Sequence, residues 1–262
     1  MIAIIPAHGY SRRLKNKHIL PFCGIPLTAW SVIQSVCSHS IEETYVSTDD
    51  YQVAGIAESF GAKIIWRDYN QGPDDAANVP IMHAIKKIQK ERKNIEFMVT
   101  LLPNGLLRKP EDIDSAVDIH LYTPRINPKD GWNFTVGLTN EPFVLIREKE
   151  NAFISKFKLN DYSSKYGNVS LNTMVSDVKD YIDNSEEQRK ILESDRIKDG
   201  EVQSKLSKFA LPDFKYYIIE QWQHFHIDHQ TDFDLCERLM ETMILKGKGT
   251  EVYYAYARTK AR

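Results

Sequence analysis

The first half of the chain alternates short apolar runs with longer stretches of helical periodicity. Residues 2–5 are an isoleucine-rich run without a polar interruption, closed by Pro6, the pattern of a strand buried on both faces. Residues 26–36 predict a helix with Leu27, Trp30, Val32 and Ile33 apolar, and residues 44–47 a second strand. A helix over 51–60 places Val53, Ile56, Ala57 and Phe60 on one face, with Gly61 where a C-cap belongs. Residues 63–66 read as a third strand and 97–102 as a fourth. Between them Asn78 reads as an N-cap, with Pro80 in the first turn and Val79, Met82, Ile85 and Ile88 as the apolar side. Over 110–120 a further helix carries Glu111, Asp112 and Asp114 near its positive end.

Such alternation predicts an α/β fold, a mainly parallel sheet with helices on both faces. Ligands of these sheets bind at the carboxyl ends of the strands. The middle is less regular. Residues 132–138 and 143–146 read as strands, with a possible hairpin across 140–142, and 183–200 as a charged, solvated helix. Residues 215–219 predict a strand, and 231–245 an amphipathic helix burying Leu235, Cys236, Leu239, Met240 and Met243. The simplest organisation is one domain over 1–262, with 122–200 as an elaboration suited to dimerisation or to the acceptor site.

Composition narrows the function classes. The 262 residues are 42% hydrophobic and 27% charged, with 34 Lys and Arg against 36 Asp and Glu, a net charge of −2. Disorder and coiled coil are excluded, and a dedicated nucleic-acid binder would carry a basic excess. Cys23, Cys37 and Cys236 are far apart and odd in number, as expected of reduced thiols in a cytoplasmic protein. The N-terminal apolar run is too short for a signal peptide, and no stretch is long enough to span a membrane.

Chemistry is sought in the loops after the strands. Residues 8–18 follow the first strand and hold Arg12, Arg13, Lys15 and Lys17 beside Gly9 and Ser11. Cations with approachable backbone N–H groups suit phosphates. The spacing is neither that of a P-loop nor that of a dinucleotide fingerprint. In an extended segment His224, His226 and Asp228 would project to one side as a row for a divalent cation. Asp49 and Asp50 read first as a helix cap, and Arg67 could stack on or hydrogen-bond a base. No G-x-S-x-G elbow occurs.

At the first loop the chain resembles the cytidylyltransferases that activate acidic sugars, the acylneuraminate and 3-deoxy-manno-octulosonate types. Their P-A-R-x-x-S-[KR]-x-x-x-x-K-N opening aligns with residues 6–18, and V-S-T-D-D with Val46, Ser47, Thr48, Asp49 and Asp50. L-Q-P-T-S-P-L-R corresponds to residues 101–108, and D-I-D to His226, Ile227 and Asp228, followed by Asp232, Phe233 and Glu237. The resemblance implies a three-layer α/β/α nucleotidyltransferase with a mixed, mainly parallel sheet, acting as a homodimer. It implies transfer of CMP from CTP to an acidic sugar, a nonulosonate or relative, with release of pyrophosphate.

By the same resemblance, Lys17, Arg12 and Asp228 are the catalytic residues. Ala7, His8, Gly9, Ser11, Arg12, Lys17, His18, Arg67 and Asn78 would hold the nucleotide. Asp228 with His226 would hold Mg²⁺, or Mn²⁺ given the imidazole, and Leu102, Asn104 and Arg108 would face the sugar. His8 replaces the motif arginine, His18 the asparagine, Leu102 the glutamine and His226 the first aspartate, while Asn172 stands loosely for an N-G-A turn. These departures leave three readings: an active cytidylyltransferase for an atypical acceptor, a transferase using another nucleotide or acceptor such as a phosphonate, or a non-catalytic nucleotide-binding homologue.

Overall fold

The structure is a computed structural model that describes residues 1–11, 13–68, 78–124, 134–139, 169–192 and 214–260. Its strands are β1 (Ile2–Pro6), β2 (Pro21–Phe22), β3 (Ile25–Pro26), β4 (Glu43–Thr48), β5 (Lys63–Trp66), β6 (Phe97–Leu101), β7 (Phe134–Thr139), β8 (Val169–Asp177) and β9 (Phe214–Ile219). Its α-helices are α1 (Leu27–Cys37), α2 (Tyr51–Ser59), α3 (Asn78–Glu91), α4 (Pro110–Tyr122), α5 (Val178–Leu192), α6 (Gln230–Leu239) and α7 (Glu251–Lys260).

Seven strands form one mixed sheet in the order β5-β4-β1-β6-β8-β7-β9, with β2 and β3 as a separate ribbon. Pairings from β5 through β6 are parallel, β8 is antiparallel to both β6 and β7, and β9 is parallel to β7. The apolar run of β1 has its reason here. Ala3 and Ile5 join one core with Val32, Val46, Val53, Ala57, Ile113 and Val117, while Ile2 and Ile4 join another with Ile81, Ile85, Met98 and Tyr181. A strand with helices over both faces has no solvent side on which to place polar residues. A third cluster packs α1 against α6 and α7 through Trp30, Ile33, Phe233, Met240 and Tyr253.

Several elements differ from the sequence reading. In α3 the buried side is Ile81, Ala84, Ile85 and Ile88, and Val79 is exposed. Steps of three residues drift by about 60° each, so Val79 and Ile88 lie on opposite sides of the helix. The helix expected over 231–245 becomes a π-helical turn at Met240–Leu245. Each π residue turns the helix less, so Ile244 and Leu245 are buried while Met243 is exposed; Leu235 is exposed as well. Asn172 lies within β8 rather than in a turn. The strands β7 and β8 and the helix α5, all within 122–200, belong to the sheet and its covering layer. The strand expected over 143–146, its hairpin and residues 193–200 lie outside the described residues. Helix α7 has no counterpart in the sequence reading. Among the described residues no helix is long and apolar enough to cross a membrane.

Candidate active site

The site is built where the loop after β1 meets the ends of β4, β5 and β6. Asp49 and Asp50 divide the work there. Asp50 caps α2, its Oδ1 accepting from the N–H groups of Gln52 at 2.8 Å and Val53 at 2.9 Å. Asp49 Oδ1 accepts from the Gly9 N–H at 2.7 Å, holding the first loop against the end of β4. Any Cβ on Gly9 would collide with the Asp50 side chain, so this position needs glycine for close approach. The Ala7 N–H donates to the Ser47 carbonyl at 2.9 Å. The N–H groups of Ala7 and Gly9 are thus both engaged within the fold.

Lys17 and Asp228, 211 residues apart in sequence, come together. Lys17 lies in a 3₁₀ turn (Lys17–Ile19). Its Nζ donates to the Ile227 carbonyl at 2.7 Å and lies 3.5 Å from Asp228 Oδ1. Burial pushes the Lys17 ammonium pKa down, and the Asp228 carboxylate opposes that shift. Arg13 Nη1 reaches the other Asp228 oxygen at 3.0 Å. The backbone around Asp228 is fixed as well. Asp232 Oδ2 accepts from the Asp228 N–H at 3.0 Å and the His229 N–H at 2.7 Å, capping α6. The Ile227 N–H donates to the Asn104 carbonyl at 2.8 Å, tying the loop after β6 to the same segment.

His8, His18 and Arg67 gather beside Lys17. The His8 and His18 rings meet edge to face with centroids 5.3 Å apart. His18 is buried, and burial holds its pKa well below the ordinary imidazole value, with His8, Lys17 and Arg67 adding to the effect. His8 is lowered by burial and by Arg67, against an opposing pull from Asp49. The Arg67 N–H donates to the Thr48 carbonyl at 2.9 Å, fixing it at the end of β5. Ser11 sits half-buried on the same loop. Arg12 lies outside the described residues, and Asn78 is placed only as the first residue of α3.

The residues expected to face the sugar are arranged differently. Arg108 is buried, and its Nη1 donates to the carbonyls of Gly105 at 2.6 Å and Asn172 at 2.7 Å. Its Nη2 donates to Ser31 Oγ at 2.8 Å, and both nitrogens reach the Leu102 carbonyl at 3.2 Å. Burial lowers its pKa to about 10. Arg108 therefore braces the 102–108 loop from beneath, its guanidinium nitrogens engaged within the fold. Leu102 is half-buried at the end of β6, and Asn104 is half-buried beside the Ile227 tie.

The histidine row is shorter than expected. His224 ends a 3₁₀ turn (Gln221–His224), while His226 and Asp228 lie in the irregular segment that follows, with His226 Nε2 3.6 Å from Asp228 Oδ2. No group of three metal-ligating side chains occurs among the described residues. One carboxylate with one imidazole still fits a cation that keeps most of its waters and takes its remaining ligands from substrate phosphates. Sequence reasoning missed the ion pair from Arg13 and the loop-fixing role of Asp49. The first was visible only as part of a basic run, the second only as half of a capping pair.

A family model for cytidylyltransferases matches residues 2–255. The chain belongs to the cytidylyltransferase family. It is 33% identical over 125 residues to a CMP-N,N'-diacetyllegionaminic acid synthase of Legionella pneumophila, covering 47% of this chain and 54% of that protein. To an N-acylneuraminate cytidylyltransferase of Escherichia coli it is 30% identical over 174 residues, 65% of this chain and 39% of that protein. The matches thus span about half or less of these relatives' own length. Among solved structures, a CMP:2-keto-3-deoxy-manno-octonic acid synthetase complexed with CTP superposes with a TM-score of 0.64 at 16% identity, covering 92% of this chain and 98% of that one. The 4-diphosphocytidyl-2C-methyl-D-erythritol synthase of Anaerococcus prevotii gives 0.62 at 13% identity, covering 92% and 95%. At these identities the superpositions establish the three-layer α/β fold.

Proposed function

We propose that this chain transfers CMP from CTP to an acidic sugar of the nonulosonate class, releasing pyrophosphate. The observation that carries the reading is the meeting of Lys17 with Asp228 at the carboxyl end of β1. Family membership and relatives named for legionaminic, neuraminic and pseudaminic acids support it.

In this reaction a sugar hydroxyl attacks the α-phosphorus in line, and the bond to the leaving pyrophosphate breaks. Charge on the phosphate oxygens must be neutralised where water is scarce. Lys17, nearly buried and held by the Ile227 carbonyl, presents a fixed cation for this purpose. Arg13 adds a second cation on the solvent side. Arg67, fixed at the end of β5, would face the base and ribose. Asp228 and His226 would hold Mg²⁺ or Mn²⁺, which supplies further neutralisation of the phosphates when bound. A homodimer belongs to the same reading.

Lys17→Ala tests the assignment. Pyrophosphate release from CTP with a nonulosonate acceptor should fall by about 10²–10³-fold, the loss typical when one preorganised charge-stabilising donor is removed. A fall of less than about threefold would remove Lys17 from the mechanism.

A further inference from the structure

Two imidazoles inside a site already occupied by cations call for an explanation. His8 leaves β1 directly into the loop, and His18 sits in the 3₁₀ turn behind it, the rings edge to face at 5.3 Å. The Nδ1 atoms of both are buried without a hydrogen-bond partner among the described residues. The charged groups facing His8 are Arg67 from the end of β5, Lys17 from the 3₁₀ turn and Asp49 from the end of β4. His18 faces His8, Lys17 and Arg67. Arg67 and Lys17 thus weigh against a positive charge on His8, while Asp49 and a hydrogen bond with the Tyr10 backbone weigh for it, and an arriving anion would add to the second side.

We propose that His8 is a conditional cation of the nucleotide site, taking up a proton from solvent as a nucleoside triphosphate binds. His18 stays neutral and positions the His8 ring. This inference rests on the reading of the site as a nucleotide site. Without nucleotide, Lys17 and Arg67 repel a third positive charge, and burial penalises it further. A bound triphosphate reverses the sign of that field, and an imidazole is the side chain whose charge changes most readily near neutrality. An arginine in this position would be charged in both states. The sign follows by linkage. The His8 pKa lies below its ordinary value in the free protein and rises on binding, so affinity is highest at low pH. It is lost as pH rises through the pKa of the complex, by up to about tenfold per pH unit for one proton.

Isothermal titration of CTP with Mg²⁺ into the full chain, at pH 7.5 in buffers of different ionisation enthalpy, measures the proton count. The wild type should take up a substantial fraction of one proton per CTP. His8→Gln should bind more weakly with that uptake lost, and His8→Arg should bind without uptake and with an affinity that no longer falls between pH 7 and 8. Comparison with the variants subtracts ionisation of the nucleotide itself. CTP binding with the same proton count in the wild type and both variants overturns the inference alone. Failure of the wild type to bind CTP at any pH overturns the nucleotide-site reading, and the inference with it.

Discussion

Gly105 lies against Asn172 so closely that a Cβ would overlap that side chain. Asn172 cannot move aside freely. Its amide donates to the carbonyls of Gln223 at 3.2 Å and Phe225 at 3.4 Å, and its own carbonyl accepts from Arg108. Gly105→Ala is therefore expected to destabilise the protein by about 1–3 kcal/mol, the usual range for overpacking. Asn172→Ala in the same chain should recover part of that loss, a coupling that a double-mutant cycle in urea measures. Additive effects would show that the two residues do not oppose each other. Residues differ in how legible they were. Lys17 and Asp228 could be singled out because the motifs carrying them occur in family order. A motif arginine such as Arg108 looks the same in sequence whether it grips a ligand or is buried beneath the loop, and its burial depends on Leu102, Gly105, Asn172 and Ser31 converging from separate parts of the chain.

Elements were legible where one repeat persists along them. The run of β1 and the turn residues around β4 and β5 announced themselves, because burial on both faces leaves no room for polar positions. Strand β8 was hidden, since Val169–Asp177 mixes serine, asparagine and threonine with apolar residues although it lies between β6 and β7. Its buried Thr173 and Ser176 take the place of the hydrophobic residues a central strand usually shows. The π-turn after α6 misled for a different reason, since one change of repeat reverses which of two neighbouring residues is buried. It yields a direct test. Ile244→Ala should cost about 2–4 kcal/mol, as for a buried aliphatic side chain, and Met243→Ala no more than about 0.5 kcal/mol. Equal costs would mean that the helix continues without the π-turn.

At the scale of the whole molecule, folding places a buried imidazole among cations. Its pKa in the unfolded chain returns to about 6.5, while in the folded protein His18 is held well below that value by burial. Below pH 6.5 the unfolded state therefore binds the additional proton, and stability falls as pH drops through the interval down to the folded-state pKa. The slope is at most about 1.4 kcal/mol per pH unit for this group. His18→Asn should flatten urea-derived stability between pH 7 and 5.5 relative to the wild type, and an unchanged slope would place the ring in contact with solvent. The same global arrangement brings the first loop to residue 228, which the order of motifs suggested and the parallel sheet explains, because successive strands deliver their loops to one end. CMP transfer is the activity proposed for this end of the sheet. The most direct measurement is pyrophosphate release by the purified chain with CTP, Mg²⁺ or Mn²⁺ and a panel of nonulosonic and related eight-carbon acids. Release coupled one to one with a CMP-sugar product, preference for CTP over UTP and ATP, and loss of turnover in Lys17→Ala are the expected results. Preference for another nucleotide, or CTP binding without turnover on any acid of the panel, would contradict the proposed activity.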